Sequence, residues 1–226
     1  MFLGSSRDDE LVPTPSAWRR APAGRPILRR LGVSILGLVA IVGAASDAGA
    51  HPHVWIDTVA TFVFDRGKVV SIKLEWTFDE FFSESLLDSI HPKKKGTLDA
   101  KEIKELYEKD FTNLKNYDYF IHLRLGGKKL PIREVSDFSA AVLKGRVVYR
   151  FTVRLPSPVD PVATGIALGV YDESYYVEVA FAKEEPIRFE GGPDGACRYD
   201  VHEDRSTPIY YGMVFPQQVR LDCGRR

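Results

Sequence analysis

Between Val70 and Ile90 the spacing of apolar residues changes from two to four, so a strand must run directly into a helix there. Val70, Ile72, Leu74 and Trp76 alternate with Ser71, Lys73, Glu75 and Thr77, the pattern of a strand with one buried face. Phe78, Phe82, Leu86 and Ile90 then recur every fourth residue. That predicts a helix over 79–90, because residues i and i+4 stack on one helix face. Upstream, Val54–Asp65 is rich in β-branched and aromatic residues, and Asp65-Arg66-Gly67-Lys68 reads as the turn of a hairpin. Downstream, Asp99 stands three residues before Glu102, the spacing of a helix cap. Ile103, Leu106, Tyr107, Phe111 and Leu114 mark the apolar stripe of a second helix. The helical insertion thus spans about 79–117.

The chain then returns to strands. Tyr119–Leu125 and Lys128–Ile132 flank Gly126-Gly127, a hairpin signal. Val147, Tyr149, Phe151, Val153 and Leu155 alternate with polar residues, and Pro156, Pro158 and Pro161 punctuate the loop that follows. Ile166–Val170 and Tyr175–Phe181 are further strands. The predicted class is mainly β (α+β): an antiparallel β-sandwich with an inserted helix-loop-helix. The loop of that insertion is EF-hand-like, with Gly96 at position six and Glu102 at position twelve. His91, Lys93 and Lys95 then fall at positions one, three and five, where calcium needs oxygen donors. Two lysines there repel a divalent cation, so the loop reads as degenerate.

Residues 1–50 have a different character. Arg19, Arg20, Arg25, Arg29 and Arg30 precede an apolar run, Leu31 to Ala45, and small residues close the segment at Ala48-Gly49-Ala50. That order of parts predicts a secretory signal peptide cut after Ala50. The run is short for a membrane anchor. The expectation is a single mature β-rich domain over 51–226, periplasmic and without a membrane span. A formal charge of zero argues against a nucleic-acid partner. Cys197 and Cys223 lack C-x-x-C spacing, and export makes a disulfide the natural reading, with two thiolate metal ligands as its alternative.

Cleavage after Ala50 would leave His51-Pro52-His53 at the new N-terminus, with an amine and an imidazole on His51. In an extended chain His51, His53, Trp55 and Asp57 share a face. Two imidazoles and a carboxylate suit nickel, cobalt, zinc or copper. Pro52 has no amide N–H, so His53 can act only through its side chain, not through a deprotonated backbone amide at position two. His122, within Phe120-Ile121-His122-Leu123, and His202, among Asp200, Glu203 and Asp204, are further candidate ligands. Each also has a plain structural reading, as a satisfied strand histidine and as part of a solvated acidic loop. Glu75 and Asp79 could be paired acids, but a strand-end carboxylate and a helix cap explain them more simply. The sequence has no G-x-S-x-G elbow and no H-E-x-x-H helix, and no catalytic activity is expected.

Taken together, His51-Pro52-His53-Val54-Trp55-Ile56-Asp57, Glu75-Trp76-Thr77-Phe78-Asp79, Gly96-Thr97-Leu98-Asp99-Ala100 and Tyr171-Asp172 with Ser174-Tyr175-Tyr176 resemble one bacterial family. It is the domain-of-unknown-function family numbered 1007, and the likeness runs from His51 to about Phe189. Members are often labelled as periplasmic components of ABC-type transport systems and tend to accompany nickel/cobalt-type transporters. The resemblance therefore implies a periplasmic metal-handling protein with a membrane metal transporter as partner. Two rivals stand beside it. One is a metal-free interaction module docking through exposed aromatics such as Tyr175-Tyr176, and the other a copper redox enzyme built on an N-terminal histidine brace.

Overall fold

A computed structural model describes residues 53–192 and 197–224. They belong to one compact unit, Ala50–Arg226. The predicted opening hairpin is there: β1 (Val54–Asp65) and β2 (Lys68–Phe78) pair antiparallel. Arg66 and Gly67 in the turn both have positive φ, the geometry whose twist matches a two-residue hairpin. The switch to helix follows at once in α1 (Glu80–Ile90), and α2 (Ala100–Lys109) comes next. Asp79 caps α1 by accepting from the Phe82 N–H, and Asp99 forms a full capping box with Glu102.

The second helix is shorter than its apolar stripe predicts. It ends at Lys109, and Phe111–Phe120 is a 3-10 segment. Thr112 Oγ1 and Asn113 Nδ2 donate to the carbonyls of Glu108 and Lys109, four residues back. Short polar side chains that bond to the backbone in this way compete with a continuing helix. The segment closes on three successive left-handed residues, Asp118, Tyr119 and Phe120.

Nine further strands follow: β3 (Ile121–Leu125), β4 (Lys128–Leu130), β5 (Ser136–Leu143), β6 (Arg146–Val159), β7 (Ile166–Val170), β8 (Val177–Phe181), β9 (Ile187–Glu190), β10 (Arg198–Glu203) and β11 (Gln217–Asp222). They form two sheets. The first runs β5-β6-β2-β1-β8, with β9 also on β1, and the second runs β10-β11-β7-β3-β4. The class is the predicted mainly β, α+β one. One feature departs from a purely antiparallel sandwich, since β8 and β9 both pair with β1 in parallel. The long chain between β1 and β8 makes this possible, because parallel neighbours need a long crossover rather than a tight turn.

Both sheets share one core with the helices. Trp76, Tyr149, Phe62, Phe111 and Phe151 are its largest fully buried side chains. Trp76 and Phe111 each lie 4.9 Å from the Phe151 ring, centre to centre. Ser83, buried in α1, accepts the Val147 N–H at 2.9 Å and so ties the helix to β6.

The inter-helix loop is closed by its own hydrogen bonds and one ion pair. Glu102 accepts the N–H groups of Lys93 and Asp99 at 2.8 and 2.7 Å. The Lys93 ammonium reaches Asp99 at 2.6 Å. A lysine cation thus sits against the acids that such a loop would otherwise turn toward a metal.

Cys197 and Cys223 form a disulfide across the start of β10 and the end of β11, where Arg198 pairs with Asp222. No helix among the described residues is long and apolar enough to cross a membrane. The bridge closes a separation of 26 residues, and loop entropy of that size is worth about 3 kcal/mol. Replacing both cysteines with serine is expected to lower the unfolding free energy by about that amount, read from urea denaturation.

Candidate functional site

The first strand sets the frame. Val54 and Ile56 are buried, while His53, Trp55 and Asp57 are exposed, so these three share a face as the alternation predicts. Hydrogen bonds hold this end of β1 from both sides. On one side the Trp55 N–H donates to Asp79 Oδ2 at 2.8 Å, and the Asp79 N–H returns a bond to the Trp55 carbonyl at 2.9 Å. Oδ1 of the same carboxylate accepts the Phe82 N–H at the start of α1. Asp79 is therefore a splice between strand and helix, as the simpler reading of that residue had it.

On the other side lies the turn from Tyr171 to Val177. The Asp172 carboxylate is buried and takes four donors. Oδ1 accepts the Ser174 N–H at 2.9 Å, and Oδ2 accepts Ser174 Oγ at 2.7 Å and the N–H groups of Tyr176 and Val177 at 3.1 Å each. This web holds Tyr175 in a left-handed conformation. It also delivers Tyr176 to the N-terminal strand. The Tyr176 carbonyl accepts the His53 N–H at 2.9 Å, and its ring lies 4.7 Å from the imidazole. Two sequence motifs more than a hundred residues apart thus meet in one place.

Asp57 serves a different end. Arg146 Nη2 binds its carboxylate at 3.0 Å and also donates to the Thr77 carbonyl, while Nε of the same guanidinium donates to the Phe78 carbonyl. Four residues of extended strand put Asp57 about 13 Å from His53, beyond one coordination shell. A second carboxylate is closer. Glu178 pairs directly with Trp55 and so shares the face of His53 one row away. Its Oε2 accepts the Tyr175 hydroxyl at 2.8 Å. Burial and this bond push the Tyr175 hydroxyl up to about 12. Sequence periodicity alone does not find Glu178, because its neighbourhood is created by the parallel pairing of β8.

His122 and His202 lie on the other sheet. In register they occupy one row, His202–Gln218–Gly169–His122, with two strands between them. That is about 14 Å, so they cannot share an ion. His122 Nε2 contacts the Tyr171 carbonyl at 3.0 Å, and the two rings stack at 3.6 Å. A carbonyl only accepts, so Nε2 carries the proton in the neutral ring. His202 Nδ1 contacts Asp200 at 2.8 Å. Among the described residues no three His, Cys, Asp or Glu side chains gather around a common point. His51 lies outside the described residues.

Gly169 explains the stacking. A Cβ there would sit 2.8 Å from the Tyr171 ring, so only glycine leaves room for the tyrosine beside His122. Tyr171, His122, Glu173, Ser174 and Lys129 line a cleft of about 460 Å³. Burial lowers the affinity of His122 for a proton.

Two outcomes follow. Asp172→Ala is expected to cost about 3 kcal/mol, because three backbone N–H groups lose a charged acceptor, with Asp172→Asn in between, measured by urea unfolding. A histidine whose folded pKa is depressed leaves the unfolded chain binding more protons just below pH 6.5. Its contribution is present above that pH and lost as pH falls toward the folded value. Unfolding midpoints between pH 5 and 8 should therefore decline on the acid side, and His122→Gln should flatten that decline.

The family of this chain is visible in its relatives. A 121-residue stretch, 54% of the chain, is 36% identical to 86% of an uncharacterised 15.5 kDa protein of Spirochaeta aurantia. A 142-residue stretch, 62% of the chain, is 26% identical to 67% of an uncharacterised protein of Haemophilus influenzae. The family model described as "Protein of unknown function (DUF1007)" matches residues 36–211, which takes in β1, the helical insertion and the Tyr171–Val177 turn. The chain belongs to that DUF1007 family.

Proposed function

We propose that the protein is a periplasmic accessory of a membrane metal transporter, binding a divalent transition metal at the leading end of β1. His53 carries the reading. Its backbone is bonded to Tyr176 and its ring packs on the Tyr176 ring, yet its side chain remains exposed. A fixed imidazole costs less entropy to engage than a mobile one. Covalent geometry keeps His51 within about 7 Å of His53. Cleavage after Ala50 would then supply an amine and two imidazoles, and Glu178 is the carboxylate on the same face. This donor set suits nickel, cobalt, zinc or copper, and it takes over the role that Asp57 had in the sequence reading. The disulfide fits an oxidising compartment.

Metal affinity should fall as pH drops through the histidine range, because a protonated imidazole cannot ligate. The test uses the exported, processed chain, its N-terminus verified by mass spectrometry. Calorimetric titration with Ni(II), Co(II), Zn(II) and Cu(II) should give a single site, weakened at least about 100-fold by His53→Ala and to a smaller degree by Glu178→Gln. Binding unaffected by His53→Ala, or absent altogether, would remove the proposal.

A second reading has its own support. Trp55 is 50% exposed, Tyr176 57% and Tyr211 94%. Tyr210 packs against Tyr175 at 5.6 Å, which ties the Tyr210–Gly212 turn to the Tyr171–Val177 turn. Such a surface would serve a metal-free docking module. Metal content of untagged protein purified from the periplasm separates the two readings.

A further inference from the structure

We infer that the outer face of the second sheet is an anion site, taking a small ligand with two oxyanion groups. The register places Lys129, Arg124, Ala167 and Arg220 in one row across β4, β3, β7 and β11. Inward neighbours Leu123, Leu168 and Val219 are fully buried, so these four residues face outward. Lys129 and Arg124 are direct cross-strand partners. Arg124 and Arg220 flank Ala167, about 10 Å apart by strand spacing.

Like charges directly opposite each other weaken a sheet. An ordinary surface would interleave acids, and the other sheet does so: Arg150 bonds Glu75, and Arg146 bonds Asp57. Here the nearby acids are otherwise engaged. Asp200, at the end of the row, holds His202. Asp204 feels the charge of Arg124, but its oxygens accept from Ser206, Thr207 and Gln218. Asp118 reaches only Lys129, at 3.6 Å. Among the described residues Arg124 and Arg220 have no ion-pair partner within 4.0 Å and no side-chain hydrogen bond to an acid.

The floor between them is low. Between the two arginines Ala167 carries only a methyl group, and the row beyond it is closed by the Tyr171 ring packed on Gly169. Two long side chains can lean over this floor from opposite walls. A guanidinium presents a planar fork of donors that matches carboxylate or phosphate oxygens two at a time. Two forks at this separation fit two oxyanion groups on one small molecule, and Lys129 adds a point charge at the rim. This site is independent of the leading end of β1.

The probes are inorganic pyrophosphate and glutarate, which separate phosphate from carboxylate preference. Each is titrated calorimetrically into the full processed chain at low and at physiological salt. The expected result is one saturable site for at least one probe, with Kd below about 1 mM at low salt and weaker binding at higher salt. Arg124→Gln or Arg220→Gln should weaken it at least tenfold, and Lys73→Gln, on the other sheet, should leave it unchanged. Thermal unfolding gives a second readout. In anion-free buffer Arg124→Gln should keep or raise Tm, since it relieves repulsion, and pyrophosphate or glutarate should raise Tm of the native chain alone. Absence of binding by both probes would overturn the inference. So would binding that survives the double substitution, or a Tm that falls sharply with Arg124→Gln in anion-free buffer.

Discussion

Strand β1 is held on both edges and on one face, and the remaining structure is arranged around that constraint. Its buried residues Ile56, Ala60, Phe62 and Phe64 enter the core. Its edges pair with β2 on one side and with β8 and β9 on the other. Slipping such a strand by one residue would turn its whole apolar set toward water. The backbone positions and facing of the exposed residues at its leading end are therefore set by the same register that buries the core.

Two carboxylates extend this rigidity to the ends of the strand. Asp79 joins β1 to the first turn of α1, and Asp172 builds the turn that carries Tyr176 to His53. Neither is a spare acid waiting for a ligand, because their oxygens already accept backbone N–H groups. The same economy governs the inter-helix loop, where Glu102 and Asp99 are satisfied by backbone and by Lys93. Other surface carboxylates meet cations, as Glu75 meets Arg150 and Asp57 meets Arg146. Against that background the cross-strand cations of Lys129, Arg124 and Arg220 stand apart.

Local pattern carried much of the fold. The β1–β2 hairpin, the helix capped by Asp79, the capping box at Asp99 and the Gly126-Gly127 turn are all short-range features, so a window of a few residues contains their cause. The strand Ser136–Leu143 was not legible in this way. Its Ser-Asp-Phe-Ser-Ala-Ala composition has weak β preference, Asp137 has positive φ, and its extended form depends on pairing with β6. Strands β9, β10 and β11 are shorter, and pairing holds them: β9 lies on β1, and β10 on β11, where the Cys197–Cys223 bridge also ties their ends.

The candidate site divides along the same line. Sequence by itself determined that His53, Trp55 and Asp57 face one way, because alternation in a strand follows from backbone geometry alone. It also determined that Asp79 and Asp99 would cap helices, since a cap acts within one turn. Only the tertiary structure decided that Asp57 belongs to Arg146, that Glu178 lies beside Trp55, and that His122 and His202 are two strands apart. Those relations are set by strand order and register, which arise when distant segments compete to bury their apolar faces in one core.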